Sequence, residues 1–202
     1  MKTQQIITAI LLGVVLLVAI RGAMQPRLGK LKFTVMDDIA YGNGGTDNWS
    51  RFDVSKALDA HPEVKTIVLK RMPGTQDSET NLKIARDVRA RGLNTHLERN
   101  SIIASGAVDL FIAGVERTME CGALIGVHSW SISGSRDTIR VSPQDLGRDL
   151  FQKHHENFLR DMGIDPTFYA FTRAAAEPES IHYMSMEEIE RYGLLTEMPD
   201  CR

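Results

Sequence analysis

The chain has 202 residues, 43% of them hydrophobic and 25% charged, enough to bury one ordinary core, and no internal repeat or low-complexity stretch divides it. Its formal net charge of −2 supplies no basic field for nucleic acid, which is not expected as a partner. Cys121 and Cys201 match no metal spacing, so they are either free thiols or a single disulfide in an oxidising compartment.

Lys2 precedes an uncharged, mostly aliphatic run from Ile6 to Ile20. Its length suits a signal-peptide core and falls somewhat short of the roughly 20 residues of a full span. With no polar face, the run reads as membrane-directed rather than as a core helix. Cleavage needs two small residues spaced by one. Ala19 pairs with Leu17, Gly22 with Ile20 and Ala23 with Arg21, so an uncleaved anchor over residues 1–25 is expected ahead of a domain over residues 28–202. Arg21, Arg27, Lys30 and Lys32 after the run favour a cytoplasmic side by the positive-inside rule. A short first segment behind a basic terminus favours export, and an extracytoplasmic or periplasmic domain is the expectation.

Beyond the anchor, Leu31 to Met36 alternates as a strand, and Tyr41 to Thr46, rich in glycine and asparagine, reads as a loop. Asp53 to Ala60 reads as the end of a helix. Thr66 to Lys70 is a β-branched strand running into Met72-Pro73-Gly74-Thr75. Glu79 to Arg91 carries Leu82, Ala85 and Val88 at helical spacing and stops at Gly92, and Leu93 to Leu97 is the next strand. Ile102-Ile103-Ala104 is extended and gives way at Ser105 to an apolar helical run ending at Gly114. Ala123 to Val127 is an apolar strand closed by His128. Pro143 opens a long amphipathic helix to about Met162, which Asp165-Pro166 breaks, and Ser185 with Glu188 caps a short last helix ending near Gly193. This alternation predicts an α/β domain with right-handed parallel crossovers.

Ser105 and His128 carry the chemistry. A serine at a helix start presents its hydroxyl beside free backbone N–H groups that can hold an oxyanion, and a histidine at a strand end can reach it as general base. Taken singly, the serine would be an N-cap and the histidine a structural one. His96, His154, His155 and His182 read as surface or structural, and Asp109, one turn after Ser105, as a polar face of its helix. Lys153 could serve a Ser-Lys dyad, a role that His128 makes unnecessary.

Laid end to end, these segments resemble the ClpP-like branch of the ClpP/crotonase superfamily from about Leu31 to Thr196. Met72-Pro73-Gly74-Thr75 is similar to the family's Ser-Pro-Gly-Gly oxyanion loop, Ala104-Ser105-Gly106-Ala107 to its nucleophile segment, Val127-His128 to its base, and Tyr183 to Glu188 with Tyr192-Gly193-Leu194 to its closing helix. The resemblance implies a spiral of β-β-α units with a largely parallel sheet. It also implies a serine peptidase with Ser105 as nucleophile, His128 as base, and backbone N–H groups of Gly106 and of Gly74 or Thr75 as oxyanion donors. No metal or organic cofactor is implied; a peptide or protein substrate and self-association are. Two departures stand out. Thr75 replaces a second glycine, and Glu177, with Glu179 close by, stands where the triad acid is normally Asp. Both favour the main alternative, a membrane-anchored, non-catalytic protein that uses the fold for binding or assembly. An acyl-CoA enzyme of the crotonase branch is a second alternative, but that branch has no use for Ser105 and His128 together.

Overall fold

The computed structural model describes residues 30–133, 138–140 and 152–201; the apolar run from Ile6 to Ile20 and the helix start at Pro143 lie outside them. β1 (Lys32–Met36) and β2 (Ile39–Asn43) form an antiparallel hairpin that turns at Asp37, whose φ of 53 suits a tight hairpin. The structure corrects the loop expected from Tyr41 onward, because Tyr41, Gly42 and Asn43 belong to β2. Gly42 looks like a strand breaker in sequence, yet a Cβ there would lie 3.1 Å from the Phe33 ring, so the aromatic packs on bare backbone. Helix α1 (Ser50–Ala60) follows and buries Val54 and Leu58.

From here a unit repeats. β3 (Thr66–Leu69), β4 (Arg71–Met72) and α2 (Ser78–Ala90) make the first copy, and β5 (Asn94–Leu97), β6 (Ile102–Ala104) and α3 (Gly106–Ile112) the second. β7 (Arg117–Met119), which the sequence pattern did not reveal, and β8 (Leu124–Val127) begin the third. Next come the hairpin of β9 (Ser131–Ser133) and β10 (Thr138–Arg140), then α4 (Gln152–Asp161), α5 (Thr167–Ala175), β11 (His182–Tyr183) and α6 (Met186–Arg191). The first strands of the units extend the hairpin into a five-stranded sheet, β1-β2-β3-β5-β7, whose later pairings are parallel. The second strands make a four-stranded sheet, β11-β8-β6-β4. The result is a mixed α/β fold with mostly parallel sheets.

Local chemistry explains most element ends. Asp77 caps α2 by accepting from the Thr80 N–H, and Gly92, at φ 70, supplies the left-handed residue that stops it. Ser185 and Glu188 form the expected capping box on α6. Asp165-Pro166 does more than break a helix. The Asp165 carboxylate accepts from the Thr167 N–H at 2.8 Å and so starts α5, a helix the sequence reading lacked. Apolar faces of α2 and α3 meet the sheets through Leu82, Ile84, Ile103, Phe111, Ile112 and Ile125, none more than 1% exposed. Each such side chain contributes about 1.5–3 kcal/mol of burial. Arg117, 7% exposed, donates to the carbonyls of Leu194, Gly114 and Gly193, fastening the end of α6 to β7.

The structure also decides between free thiols and a disulfide. Cys121 and Cys201 are joined, with Cα atoms 5.5 Å apart, and the bond ties the C-terminal end to the turn between β7 and β8. It closes a sequence separation of 80, so reduction should lower the unfolding free energy by about 2–4 kcal/mol. Thermal melts with and without reductant measure this, and a Cys121→Ser variant should melt like the reduced protein.

Candidate active site

The four-stranded sheet brings four segments to one edge. β4, β6 and β8 run parallel, with Met72 beside Ile103 and Ala104 beside Gly126, so the residues that follow them leave the sheet side by side. Those residues are the Pro73-Gly74-Thr75 loop, Ser105, and His128. β11 runs antiparallel on β8, with His182 beside Val127, so the Pro178-Glu179 segment ahead of it arrives at the same edge. Neighbouring strands lie about 4.8 Å apart, which keeps these segments close. They open on a cleft of about 880 Å³ lined by Thr75, Ser105, Gly106, Asp109, His128 and Pro178, with an aromatic side of Trp130, Phe168 and Tyr169.

Ser105 has φ 55 and ψ −133, and Asp37 is the other non-glycine residue at positive φ among the described residues. A hairpin turn accounts for Asp37. Ser105 instead sits outside the left-handed helical well, a conformation that costs about 1–3 kcal/mol and persists only where its surroundings impose it. Here they do. The Ser105 N–H donates to the Gly126 carbonyl at 3.0 Å, and the Ser105 carbonyl accepts from the Val108 N–H at 2.9 Å. The hydroxyl makes no capping bond, so the ordinary N-cap role is not the one the side chain fills.

Bare backbone surrounds that hydroxyl. Gly74 has φ 132, and a Cβ there would lie 2.8 Å from Ser105 Cβ; at Gly106 a Cβ would lie 2.4 Å from Thr75 Cγ2. The loop and the start of α3 therefore touch on either side of Ser105. Among the described residues, no group accepts from the N–H of Gly74, Thr75 or Gly106. Thr75 Oγ1 accepts from the Asp77 N–H at 3.0 Å, so the residue replacing a glycine braces the loop. Beneath it lies a polar knot the sequence analysis missed. Asn81, fully buried, accepts from Thr46 Oγ1 at 2.8 Å and donates to the Gly106 carbonyl at 2.8 Å and to Asp109 Oδ2 at 3.1 Å. An asparagine on the apolar face of α2 was the available signal.

His128 and Ser105 line the same cleft, with no hydrogen bond between them. Burial lowers the His128 pKa below the usual 6.5; the backbone at Ser129 and Pro178 raises it, nearby Arg173 lowers it and Glu179 raises it. Nδ1 of His128 is buried and meets no hydrogen-bond partner among the described residues. Arg173, itself fully buried, lies over the Trp130 ring with 4.6 Å to its centroid. The Ser129 N–H donates to the Ala176 carbonyl at 2.7 Å, which holds the 176–179 segment beside the imidazole. Glu177 and Glu179 are both exposed. No described contact joins Glu177 to His128, and the Glu179 charge acts on the ring as the smallest of several influences.

Other candidates settle elsewhere. His155 stacks on Tyr169 at 4.9 Å and lines the cleft, His182 pairs with Glu188 at 2.9 Å, and His96 meets Thr118 Oγ1 at 2.8 Å. Lys153 lies in α4 and is not among the residues lining the cleft. Among the described residues no cluster of His, Cys, Asp or Glu is placed to hold a metal ion.

No family model matches the chain, and no curated protein is similar to it in sequence. Solved structures do resemble it. A mutant of the 1510-N membrane-bound stomatin-specific protease is similar at a TM-score of 0.54 and 11% identity, covering 82% of this chain and 81% of that one. A second mutant of that protease, in complex with a substrate peptide, gives 0.51 and 12% over 82% and 77%. A methylmalonyl CoA decarboxylase complexed with 2S-carboxypropyl CoA gives 0.52 and 11% over 84% and 68%. These likenesses are of fold, and they make this an α/β fold of the ClpP/crotonase kind. Among the described residues no helix is long and apolar enough to cross a membrane.

Asp109 departs from its expected role as a polar helix face. Burial pushes its carboxyl up to about 7, with the Asn81 hydrogen bond pulling the other way. A carboxyl raised in the folded state stabilises fully below its unfolded value of 3.8, and that contribution is lost as pH rises through about 7. Asp109→Asn does not titrate. Its gain over the wild type should therefore grow between pH 4 and 7 and level off above, at about 2 kcal/mol. This is half of the roughly 4 kcal/mol the shift would give, since Asp109 lines an open cleft whose water screens its charge. Denaturant unfolding at pH 4 and pH 8 measures the difference.

Proposed function

We propose that this chain is a serine hydrolase acting on peptide bonds through an acyl-serine intermediate. The observation that carries the reading is Ser105, a strained residue at a helix start flanked by the free N–H groups of two glycine-built segments. His128 takes the hydroxyl proton as Ser105 Oγ attacks the substrate carbonyl, and the N–H groups of Gly106 and of Gly74 or Thr75 hold the oxyanion. The imidazolium then gives that proton to the leaving amine. Water, deprotonated by the same imidazole, attacks the acyl-serine, and the proton returns to Ser105 Oγ as the acid leaves. The lowered pKa of His128 keeps the imidazole neutral, its basic form, at neutral pH. Glu179 is the carboxylate we assign to orient the ring, ahead of Glu177. A tightening of the Ser105 to His128 contact when substrate binds fits the behaviour of catalytic groups in empty sites.

The compartment follows from two further features. The Cys121–Cys201 disulfide fits an oxidising environment, and the Ile6 to Ile20 run would hold the domain at a membrane there. The alternative, a binding or assembly protein, draws on the missing hydrogen bond at His128 Nδ1.

A fluorophosphonate probe separates the two. It should label Ser105, and Ser105→Ala and His128→Ala should each abolish labelling and hydrolysis, with Ser105→Ala changing stability by less than about 1 kcal/mol because no cap is lost. The acid limb of labelling should fall below pH 6.5, following His128. A folded wild type that resists the probe would leave only the binding reading. Glu179→Gln should slow hydrolysis about tenfold or more and Glu177→Gln much less; equal small losses would mean that no carboxylate orients the imidazole.

A further inference from the structure

Of the ionisable groups lining the cleft that the proposed hydrolysis does not use, one carboxyl stands apart. Among the described lining residues the carboxylates are Asp77, Glu79 and Asp109, and there is no lysine or arginine. Asp77 is occupied as the cap of α2 and Glu79 pairs with Lys83. Asp109 is different: Asn81 is its one hydrogen-bond partner among the described residues, and no cation faces it. A carboxylate largely withdrawn from water without a counter-charge is costly, and a cation brought by a ligand would offset that cost.

Its position says what that is. Asp109 lies in the first turn of α3, four residues beyond Ser105 and so about 6 Å along the axis, and both residues line the cleft. This is within reach of a long side chain on the residue whose carbonyl meets the Ser105 hydroxyl. Val108, Leu159 and Phe168 line the same cleft and offer apolar surface to the methylenes of such a side chain.

We infer that Asp109 selects the substrate, its carboxylate pairing with the cationic side chain of a lysine or arginine next to the scissile bond. The cleavage of that bond rests on the serine hydrolase reading, while the binding preference stands independently of turnover. The titratable groups sharing the cleft are Asp77 at the cap of α2, Glu79 from α2, His128 after β8, His155 from α4 and Tyr169 from α5. A ligand cation favours ionised Asp109, so the preference grows as pH rises through about 7.

The test uses full-length Ser105→Ala, in which turnover is removed, and two tripeptide amides, acetyl-Ala-Ala-Lys and acetyl-Ala-Ala-norleucine, titrated by NMR. The lysine peptide should bind about tenfold or more tighter at pH 8, with a smaller ratio at pH 6. Asp109→Asn on the same background should bring the ratio near one. Equal affinities at pH 8, no binding of either peptide, or a ratio that survives Asp109→Asn would each overturn the assignment. Should that double variant not fold, the growth of the ratio between pH 6 and pH 8 decides, and a pH-independent ratio overturns it. Failure of the hydrolase reading would appear separately, as wild-type protein that binds the lysine peptide selectively yet never reacts with a fluorophosphonate.

Discussion

Everything at the cleft depends on the register of one small sheet. β4, β6, β8 and β11 carry the loop, the serine, the histidine and the acidic segment in spatial order. A slip of one residue in any pairing would turn alternate side chains to the opposite face and separate Ser105 from His128. Gly126 is where the register is most sharply held. A Cβ there would lie 2.6 Å from Ile181 Cγ2 and 3.3 Å from Ala104 Cβ, so β6, β8 and the approach to β11 close together only over bare backbone. The same residue's carbonyl accepts from the Ser105 N–H and so helps hold the strained turn. That strain is sustained because Ile103 before it and Phe111 after it are fully buried, which leaves the turn little freedom to relax.

Desolvation then acts on the cleft's acid and base in the same sense. It favours neutral imidazole at His128 and the neutral carboxyl at Asp109, which means opposite pKa directions for the two groups. In the proposed hydrolysis the neutral imidazole is the reactive form. In the proposed substrate selection the neutral Asp109 is a resting form that a ligand's charge displaces. Burial is the largest influence on how basic the imidazole is, and the charges of Arg173 and Glu179, which act in opposite directions, are the smallest.

The chain order of chemistry was legible from residues alone. Apolar runs, Gly92, the Ser185 and Glu188 cap, and the Ser105 and His128 positions all depend on local pattern, because helix caps and strand alternation are decided within a few residues. Short strands were not legible in the same way. β2 carries a glycine that only the Phe33 ring justifies, and β7, with its buried Arg117, gains its strand character from pairing with β5. Their stability comes from neighbours distant in sequence, so no local window contains the reason.

What the sequence by itself determined is which side chains stand at element ends, and hence an α/β fold with a serine and a histidine each closing a strand. Only the tertiary structure decided what those side chains face. The joining of Cys121 to Cys201, the Asn81 knot and the burial of Asp109 all join segments remote along the chain. The placement of the 176–179 turn has the same origin, since the Ser129 N–H to Ala176 carbonyl bond and the pairing of β11 with β8 position it. Sequence spacing orders residues along a line, whereas distance across a sheet edge and the exclusion of water exist only once the strands have paired.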